Sequence, residues 1–344
     1  MSPAASHPTT QHTIAIPQVM QILQGVHQRG MDVDAILQRA GIPPNLLASP
    51  LSRVTQAQFA ALIFVLRRVT RDELWGLCSQ PVKVGSFVQV CRMLIHCETL
   101  GEALRTGARF YRLLLTDFVP RVVVAQGVAG YRLVRRVERD GRLSYAERVF
   151  SFFTYGLACW LVARRIPLLD VRYPEAERGC VTNGEVLFRS TVSYANDSVE
   201  FRFDSKWLEL PVVQNAQSLE EFLQQAPASL LIRYRDQTSL TERIRRLLRR
   251  HLAQDMPSLE EVGRTLAMSP QTLRRRLAEE GKGYQTIKDD LRRDAAIEYL
   301  AQPELTLIAI ANRLGYAEAS TFHRAFKGWT GLAPGVYRQT QLQG

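Results

Sequence analysis

The sequence predicts a two-domain protein in which an α+β amino-terminal domain precedes an all-α domain with two helix-turn-helix units. Three observations support this fold class. The 344 residues suffice for two hydrophobic cores, helical and strand periodicities alternate through residues 1–230, and the last third repeats one helical pattern. We expect a disordered arm at 1–13, the α+β domain at 14–228 and the all-α domain at 229–344.

The amino-terminal domain is predicted to combine amphipathic helices with a mostly antiparallel sheet. A capping box between Thr55 and Gln58 opens the first helix. β-branched and alternating residues predict strands within 120–137 and 198–203, and the dipeptide at 140–141 indicates a turn. Apolar residues recur with helical spacing in three segments, Thr55–Val69, Thr99–Leu114 and Ser144–Arg165.

The carboxyl-terminal third contains one supersecondary unit twice. The two copies align with an offset of 48 residues in the first helix and 49 in the second. Each copy predicts two helices joined by a short turn, which is the helix-turn-helix shape. We place these units at about 258–280 and 306–330, with a connecting helix at 284–300. The aligned apolar positions are Leu259, Val262, Leu266, Leu273 and Leu277 with Leu307, Ile310, Leu314, Phe322 and Phe326.

The second helix of each copy is predicted to point polar side chains away from its buried stripe. At 100° per residue Leu273 and Leu277 share the buried face, which places Arg275 about 200° from Leu273. Arginine can form a bidentate contact with guanine and glutamine with adenine, so this face is suited to reading DNA bases. The other outward or flanking side chains are Gln271, Arg274 and Arg276 in the first copy and Ser320, His323, Arg324 and Lys327 in the second.

Composition limits the classes of partner. The net charge of +11 and the pI of about 9.7 indicate an anionic partner, and residues 231–344 carry 19 Lys+Arg against 13 Asp+Glu. No apolar run has the length of a membrane span, and the amino terminus lacks the pattern of a secretory signal. Five scattered cysteines are typical of a reduced, cytoplasmic protein. We find no metal-binding, phosphate-loop or catalytic motif, so no cofactor is expected.

The segment from about Thr241 to Arg338 resembles the DNA-binding domain of the AraC/XylS family of bacterial transcription regulators. The resemblance lies in "MSPQTLRRRL", "IANRLGYAEASTFHRAFKGWTG" and "GLAPGVYR". It departs at Ala317 and Ala319, where the family often has a polar capping residue and a proline. We expect this departure to weaken the cap of the second recognition helix by about 1 kcal/mol.

This resemblance implies that both recognition helices enter successive major grooves of double-stranded DNA, and that RNA polymerase is a further partner. Thr272 and Thr321 lie at the edge of the buried stripe and are read equally as packing residues. His323 is read as a phosphate or base contact, with a solvated histidine as the alternative. The implied DNA-binding residues are Gln271, Thr272, Arg274, Arg275, Arg276, Ser320, Thr321, His323, Arg324 and Lys327.

The amino-terminal domain is similar to that of one AraC subgroup, which has an arabinose-binding-like sensor and includes the ornithine-utilisation regulator. The phrases "GMDVDAILQRAGIP", "TLGEALRTGARFYRLL" and "VEFRFDSKWLELPV" carry this similarity. It implies binding of a small effector, such as an amino acid, a fatty acid or another metabolite, dimerisation, or both. Candidate pocket residues, for which core packing is the alternative, are Phe110, Tyr111, Phe150, Phe153 and Trp160.

The leading functional hypothesis is a cytoplasmic, effector-responsive transcription regulator that acts as an activator and is not an enzyme. Two alternatives remain open. An alkyl-transfer DNA repair enzyme would need a reactive cysteine, for which Cys97 and Cys180 are candidates, although no four-cysteine zinc cluster is present. A non-specific nucleoid protein would bind nearly all DNA sequences alike, whereas two recognition helices predict strong sequence preference.

Overall fold

The computed structural model describes residues 13–138, 140–174, 190–194, 196–225 and 239–342. The chain divides into two compact units, of which the first draws its residues from 1–20, 34–62 and 236–344 and the second from 21–33 and 63–235. The predicted fold class is confirmed, because one unit combines helices with a sheet and the other carries two helix-turn-helix pairs. The predicted boundary at 228/229 and residues 1–12 of the predicted arm lie outside the described residues.

The helices and strands are numbered along the chain. The first elements are β1 Ile14–Ala15, α1 Ile16–Gln28, α2 Val33–Arg39, a 3₁₀ helix at Pro44–Ala48, β2 Arg53–Val54 and α3 Gln56–Thr70. The central elements are α4 Ser86–Leu94, α5 Leu100–Arg112, β3 Phe118–Ala125, β4 Val128–Arg135, α6 Gly141–Leu161, β5 Leu168–Arg172, β6 Thr191–Ser193, β7 Val199–Asp204, a 3₁₀ helix at Ser205–Glu209 and α7 Ala216–Gln225. The last elements are α8 Leu240–Arg249, α9 Leu259–Leu266, α10 Pro270–Glu279, α11 Tyr284–Leu300, α12 Leu307–Arg313, α13 Ala319–Thr330 and α14 Pro334–Leu342.

The second unit contains a five-stranded sheet in the order β3-β4-β7-β5-β6. All neighbouring strands are antiparallel except β5 and β6, which are parallel. The segment predicted as strand at 120–137 forms most of a hairpin, whose turn at Gln126 and Gly127 has positive φ at both residues. Such a turn matches the twist of the strands that it joins.

Helix α6 is the most deeply buried helix of the second unit, as its mostly apolar sequence predicts. The prediction of a turn at 140–141 is corrected by the structure, because Asp140 is the N-cap of this helix. Its carboxylate accepts a hydrogen bond from the Leu143 N–H at 2.6 Å, so α6 begins at Gly141. A local Asp-Gly pair does not distinguish a turn from a helix start, since both satisfy a backbone N–H with the same side chain.

The first unit joins amino-terminal residues to the carboxyl-terminal helices. Strands β1 and β2 pair in antiparallel fashion, and Thr13, predicted to end the disordered arm, is 3% exposed. The Tyr337 hydroxyl donates to the Arg53 carbonyl oxygen, and the Ser49 hydroxyl donates to the Thr330 carbonyl oxygen at 3.0 Å. This grouping differs from the predicted domain boundaries, which assigned residues 14–20 and 34–62 to the α+β domain.

No helix among the described residues is both long and apolar enough to cross a membrane.

Candidate nucleic-acid interface and ligand cavity

The first helix-turn-helix unit consists of α9 and α10. The capping box between Ser258 and Glu261 forms as predicted, and Ser269 caps α10 by accepting from the Thr272 N–H at 3.1 Å. The turn between the helices is tight, because a Cβ on Gly263 would lie 2.6 Å from the Met268 carbonyl oxygen. Glycine at this position therefore lets the backbone of the turn pack directly on α9.

The outer face of α10 carries the predicted reading residues. Leu273 and Leu277 are fully buried, and Thr272 is half-buried. Arg274 lies 3.7 Å from Glu260 and Arg275 lies 3.1 Å from Glu279, and all four side chains of these ion pairs are more than half exposed. Exposed pairs of this kind contribute little to stability, so both guanidinium groups can exchange partners for DNA. The exposed members of the predicted set are Gln271, Arg274, Arg275 and Arg276.

The second unit of the repeat consists of α12 and α13. Thr306 caps α12 by accepting from the Ala309 N–H at 3.1 Å, whereas the N-cap of α13, Glu318, makes no side-chain capping bond. The second recognition helix thus lacks the side-chain capping bond that α10 has, and its lower stability stays a prediction. Phe322 and Phe326 are fully buried.

The outer face of α13 matches that of α10 in its exposure. Ser320, Thr321, Arg324 and Lys327 are exposed. His323 is half-buried, and its ring stands edge-on to Phe322 with centroids 6.0 Å apart. The structure thus brings the two sets of predicted residues onto the outer faces of corresponding helices within one unit.

Helix α11 covers the residues predicted for the connecting helix and holds both halves of the repeat. The Tyr284 hydroxyl at its start donates to the Pro257 carbonyl oxygen, just before α9. The Arg292 Nε–H donates to the Leu314 carbonyl oxygen at 3.2 Å, and its guanidinium lies 5.1 Å from the centroid of Tyr316. These side chains fix α11 against a segment of each helix-turn-helix unit.

A cavity of about 100 Å³ lies in the second unit. Helices α3, α4, α5, α6 and α7 and the loop after α3 contribute to its lining. Most of the lining is apolar, and the charged side chains on it are Arg67 and Glu73. A largely apolar cavity with a few polar groups is the usual form of a small-molecule site.

The buried carboxylate of Asp72 organises the loop that forms one wall of this cavity. It accepts hydrogen bonds from the N–H groups of Leu74, Gly76 and Val82 at 2.8 to 2.9 Å. Trp75, within this loop, has a φ of +54° and lines the cavity. Its indole Nε1 is buried and has no hydrogen-bond partner among the described residues.

Glu73 joins the same loop to the start of α4. Its two carboxylate oxygens accept from the N–H groups of Gly85 and Phe87, each at 2.8 Å. Burial raises the pKa of Glu73, and these two hydrogen bonds and the charge of Arg67 act in the opposite direction. The local sequence does not predict Arg67, Glu73 and Trp75 as cavity residues, because only the folded loop and α3 bring them to one cavity.

Three of the five predicted pocket residues line the cavity, namely Tyr111, Phe150 and Phe153. Phe110 and Trp160 do not line it and pack against a neighbouring hydrophobic cluster that includes Leu94 and Leu161. Phe110 is the residue before Tyr111, and Trp160 lies three residues after Leu157, both of which line the cavity. Trp160 stacks on Phe222 with centroids 4.3 Å apart, so its role in the structure is packing.

The described cysteines are buried thiols. Burial raises the pKa of Cys97, and it raises the pKa of Cys91 to about 12. A nucleophilic cysteine needs a lowered pKa, so these sites are unsuited to alkyl transfer. Cys180, the other candidate, lies outside the described residues.

Two family models match the chain. The model for the arabinose-binding domain of AraC transcription regulators, amino-terminal, matches residues 30–212, and a helix-turn-helix domain model matches residues 262–340. The first match alone covers more than half of the 344 residues.

Similar proteins include DNA-binding regulators. The chain is 28% identical to the Ornithine utilization regulator of Pseudomonas aeruginosa over 96% of this chain and 97% of that protein. It is 43% identical to the HTH-type transcriptional regulator VirS of Mycobacterium tuberculosis over 29% of each chain. Among solved structures, the transcriptional regulator CdpR from Pseudomonas aeruginosa matches 94% of this chain and 98% of that chain at 23% identity, with a TM-score of 0.30.

Proposed function

The chain belongs to the AraC family of transcription regulators, and from this premise we propose that it reads one DNA site with both helix-turn-helix units. As a helix-turn-helix regulator it binds DNA and regulates transcription. The observation that supports the finer proposal is the repeated pair of outer faces on α10 and α13, each polar and exposed. Arg275 and Arg324 are proposed to contact base edges, and their neighbours contact phosphates or further bases.

The proposal extends to how the regulator is controlled. A small molecule bound in the cavity of the second unit is its effector. The name of the Pseudomonas relative adds weight to an amino acid among the candidates, beside fatty acids and other metabolites. The regulator is further proposed to be cytoplasmic, to form a homodimer and to activate transcription through contact with RNA polymerase, as the family resemblance implies.

The first prediction concerns the reading residues. Selection from random DNA is expected to yield a site with two conserved blocks about one helical turn apart, near 10 base pairs. Arg275→Ala and Arg324→Ala should each weaken binding to that site by about 1–3 kcal/mol and relax base preference in a different block. Fluorescence anisotropy titrations on singly mutated sites measure both effects.

The matched control is Arg92→Ala, which removes an exposed arginine on α4 of the second unit. Its DNA affinity should equal that of the unmodified protein. If Arg275→Ala left affinity and base preference unchanged, the proposed orientation of α10 toward DNA would be wrong.

The same titrations separate this function from that of a non-specific nucleoid protein. A regulator with two recognition helices should prefer its selected site over random DNA by a factor of about 10³ or more. A ratio near one would favour the nucleoid alternative. The alkyl-transfer alternative predicts uptake of a methyl group by a cysteine from alkylated DNA, which mass spectrometry detects.

A further inference from the structure

We propose that the cavity of the second unit binds a small amino acid with an apolar side chain, of about the size of leucine. The ligand's role as effector rests on the proposed function, whereas its binding is argued from the cavity alone. Three features of the lining support the proposal, namely a cation, an anion and an apolar wall.

The cation is Arg67, which suits the carboxylate of an amino acid. It lines the cavity and also borders a surface groove together with Arg68, Arg71 and Lys83. None of these four side chains forms an ion pair with another described residue. A groove with four unpaired cations attracts an anionic group, and the planar guanidinium of Arg67 can bind a carboxylate through two hydrogen bonds.

The anion is Glu73, which suits the ammonium of the same ligand. Each of its oxygens accepts one backbone N–H, and a carboxylate has about four acceptor sites in total. Capacity for further hydrogen-bond donors therefore remains on this half-buried carboxylate. An ammonium group at this position would offset the cost of burying the carboxylate, which is the largest influence on its pKa.

Arg67 and Glu73 attract each other without forming a direct ion pair. A direct pair would satisfy both groups and leave no need for ligand charges. A zwitterion placed against both satisfies each with the opposite sign. Glu73 also disfavours a simple carboxylate ligand, because two carboxylates would then share the positive charge of Arg67.

The remaining wall sets the size and polarity of the side chain. Phe87, Phe153, Leu157 and Leu223 supply its apolar surface. An engineered apolar cavity of about 150 Å³ holds benzene, so about 100 Å³ has room for the four-carbon side chain of leucine, while its carboxylate lies toward Arg67, which also borders the groove. A side chain that ends in a second ammonium, as in ornithine, would meet apolar groups without a partner.

Isothermal titration calorimetry on the full chain tests the proposal with four probes. They are L-leucine, its deaminated analogue 4-methylpentanoate, its decarboxylated analogue 3-methylbutylamine, and L-ornithine. We expect L-leucine to bind at least tenfold more tightly than each of the other three. Binding of 4-methylpentanoate as tight as that of leucine would overturn the assignment of Glu73, and tighter binding of ornithine would overturn that of the apolar wall.

Two variants test whether Arg67 binds the ligand carboxylate and Glu73 binds the ligand ammonium. Arg67→Gln should weaken leucine binding at least tenfold and leave 3-methylbutylamine unaffected, whereas Glu73→Gln should weaken leucine binding and leave 4-methylpentanoate unaffected. Arg92→Gln, an exposed arginine on α4 that lies on neither the cavity nor the groove, serves as the control and should bind leucine normally. Circular dichroism and unchanged affinity for the selected DNA site establish that each variant is folded. Absence of leucine binding in a chain that still binds DNA would overturn this inference and leave the DNA-binding function intact.

Discussion

Asp294 is a buried carboxylate that joins three parts of the first unit. One oxygen accepts from the Arg245 guanidinium of α8 at 2.7 Å, and the other accepts from the Thr13 hydroxyl at 2.5 Å and from Arg293 at 3.1 Å. Asp294 and Arg245 are 1% and 2% exposed. A buried pair of this kind contributes little net stability while it is intact. Removal of one partner is destabilising, because the other charge stays buried without its closest counter-charge.

The second prediction follows from this pair. Asp294→Asn should lower the free energy of unfolding of the first unit by about 3–5 kcal/mol, because the buried Arg245 would lose its 2.7 Å ion pair and keep the longer 3.9 Å contact with Glu242. Urea denaturation of the full chain, followed by circular dichroism, measures the loss. The control is Asp289→Asn on the same helix, whose carboxylate accepts from Gln285 at the surface and whose loss should cost less than about 0.5 kcal/mol. Equal losses for the two variants would contradict the role given to Asp294.

The sequence predicts the outward-facing residues of the recognition helices better than it predicts the residues in long-range contacts. The outward direction of Arg275 and Arg324 follows from helix geometry, which depends only on neighbours within two turns. The contact between Thr13 and Asp294 joins residues 281 positions apart, and no local pattern encodes it. The same holds for Arg67, Glu73 and Trp75, which meet only after the loop around Asp72 has folded.

The two helix-turn-helix elements share a backbone requirement but meet it with different residues. Ala267 ends α9 with a φ of +53°, and Gly315 follows α12 with a φ of +75°. These positions correspond at the 48-residue offset of the repeat. A residue with a Cβ is strained in this left-handed region by about 1–2 kcal/mol, whereas glycine is not.

The third prediction is that Ala267→Gly stabilises the first unit. Relief of the strain should exceed the entropy that glycine adds to the unfolded chain, for a net gain of about 0.5–1 kcal/mol. The control is Ala278→Gly in α10, where the backbone is helical and the same substitution should cost about 0.5–1 kcal/mol. Thermal melting of both variants provides the comparison, and a destabilised Ala267→Gly would show that the strain is absent.

At this scale the sequence is a good guide. The capping boxes at Thr55 and Ser258 form, and the missing cap of α13 is visible in advance from Ala317 and Ala319. Signals of this kind succeed because caps and turns involve residues three or four apart. They failed at Asp140, where one side chain could serve either of two local structures.

The molecule as a whole is less predictable, because its first unit is assembled from distant parts of the chain. The sequence suggests that a fragment from about Thr238 to Gly344 folds alone and binds the same DNA, since it contains both repeats. In the structure, residues 13–20 and 34–62 belong to the same compact unit as that fragment. The fragment lacks the partners of Asp294, Thr330 and Tyr337 that those residues provide.

The fourth prediction revises that expectation. A fragment of residues 236–344 should melt at a lower temperature than the first unit of the full chain and bind the selected site more weakly. Addition of the separate polypeptide 1–235, which supplies the missing residues, should raise both values. Circular dichroism and anisotropy measure them. A fragment as stable and as tightly bound as the full chain would mean that the amino-terminal contacts contribute nothing.

The wide separation of Thr13 and Tyr337 from their partners also governs when the regulator becomes active during its synthesis. A ribosome adds about 5–20 residues per second, so roughly 15–60 s separate the synthesis of β2 from that of α14. Residues 63–225 can fold earlier, since they lie together in the nascent chain. The unit that carries the DNA-reading helices is completed only once α14 has been made, so chains that terminate before α14 should seldom acquire the ability to occupy a promoter.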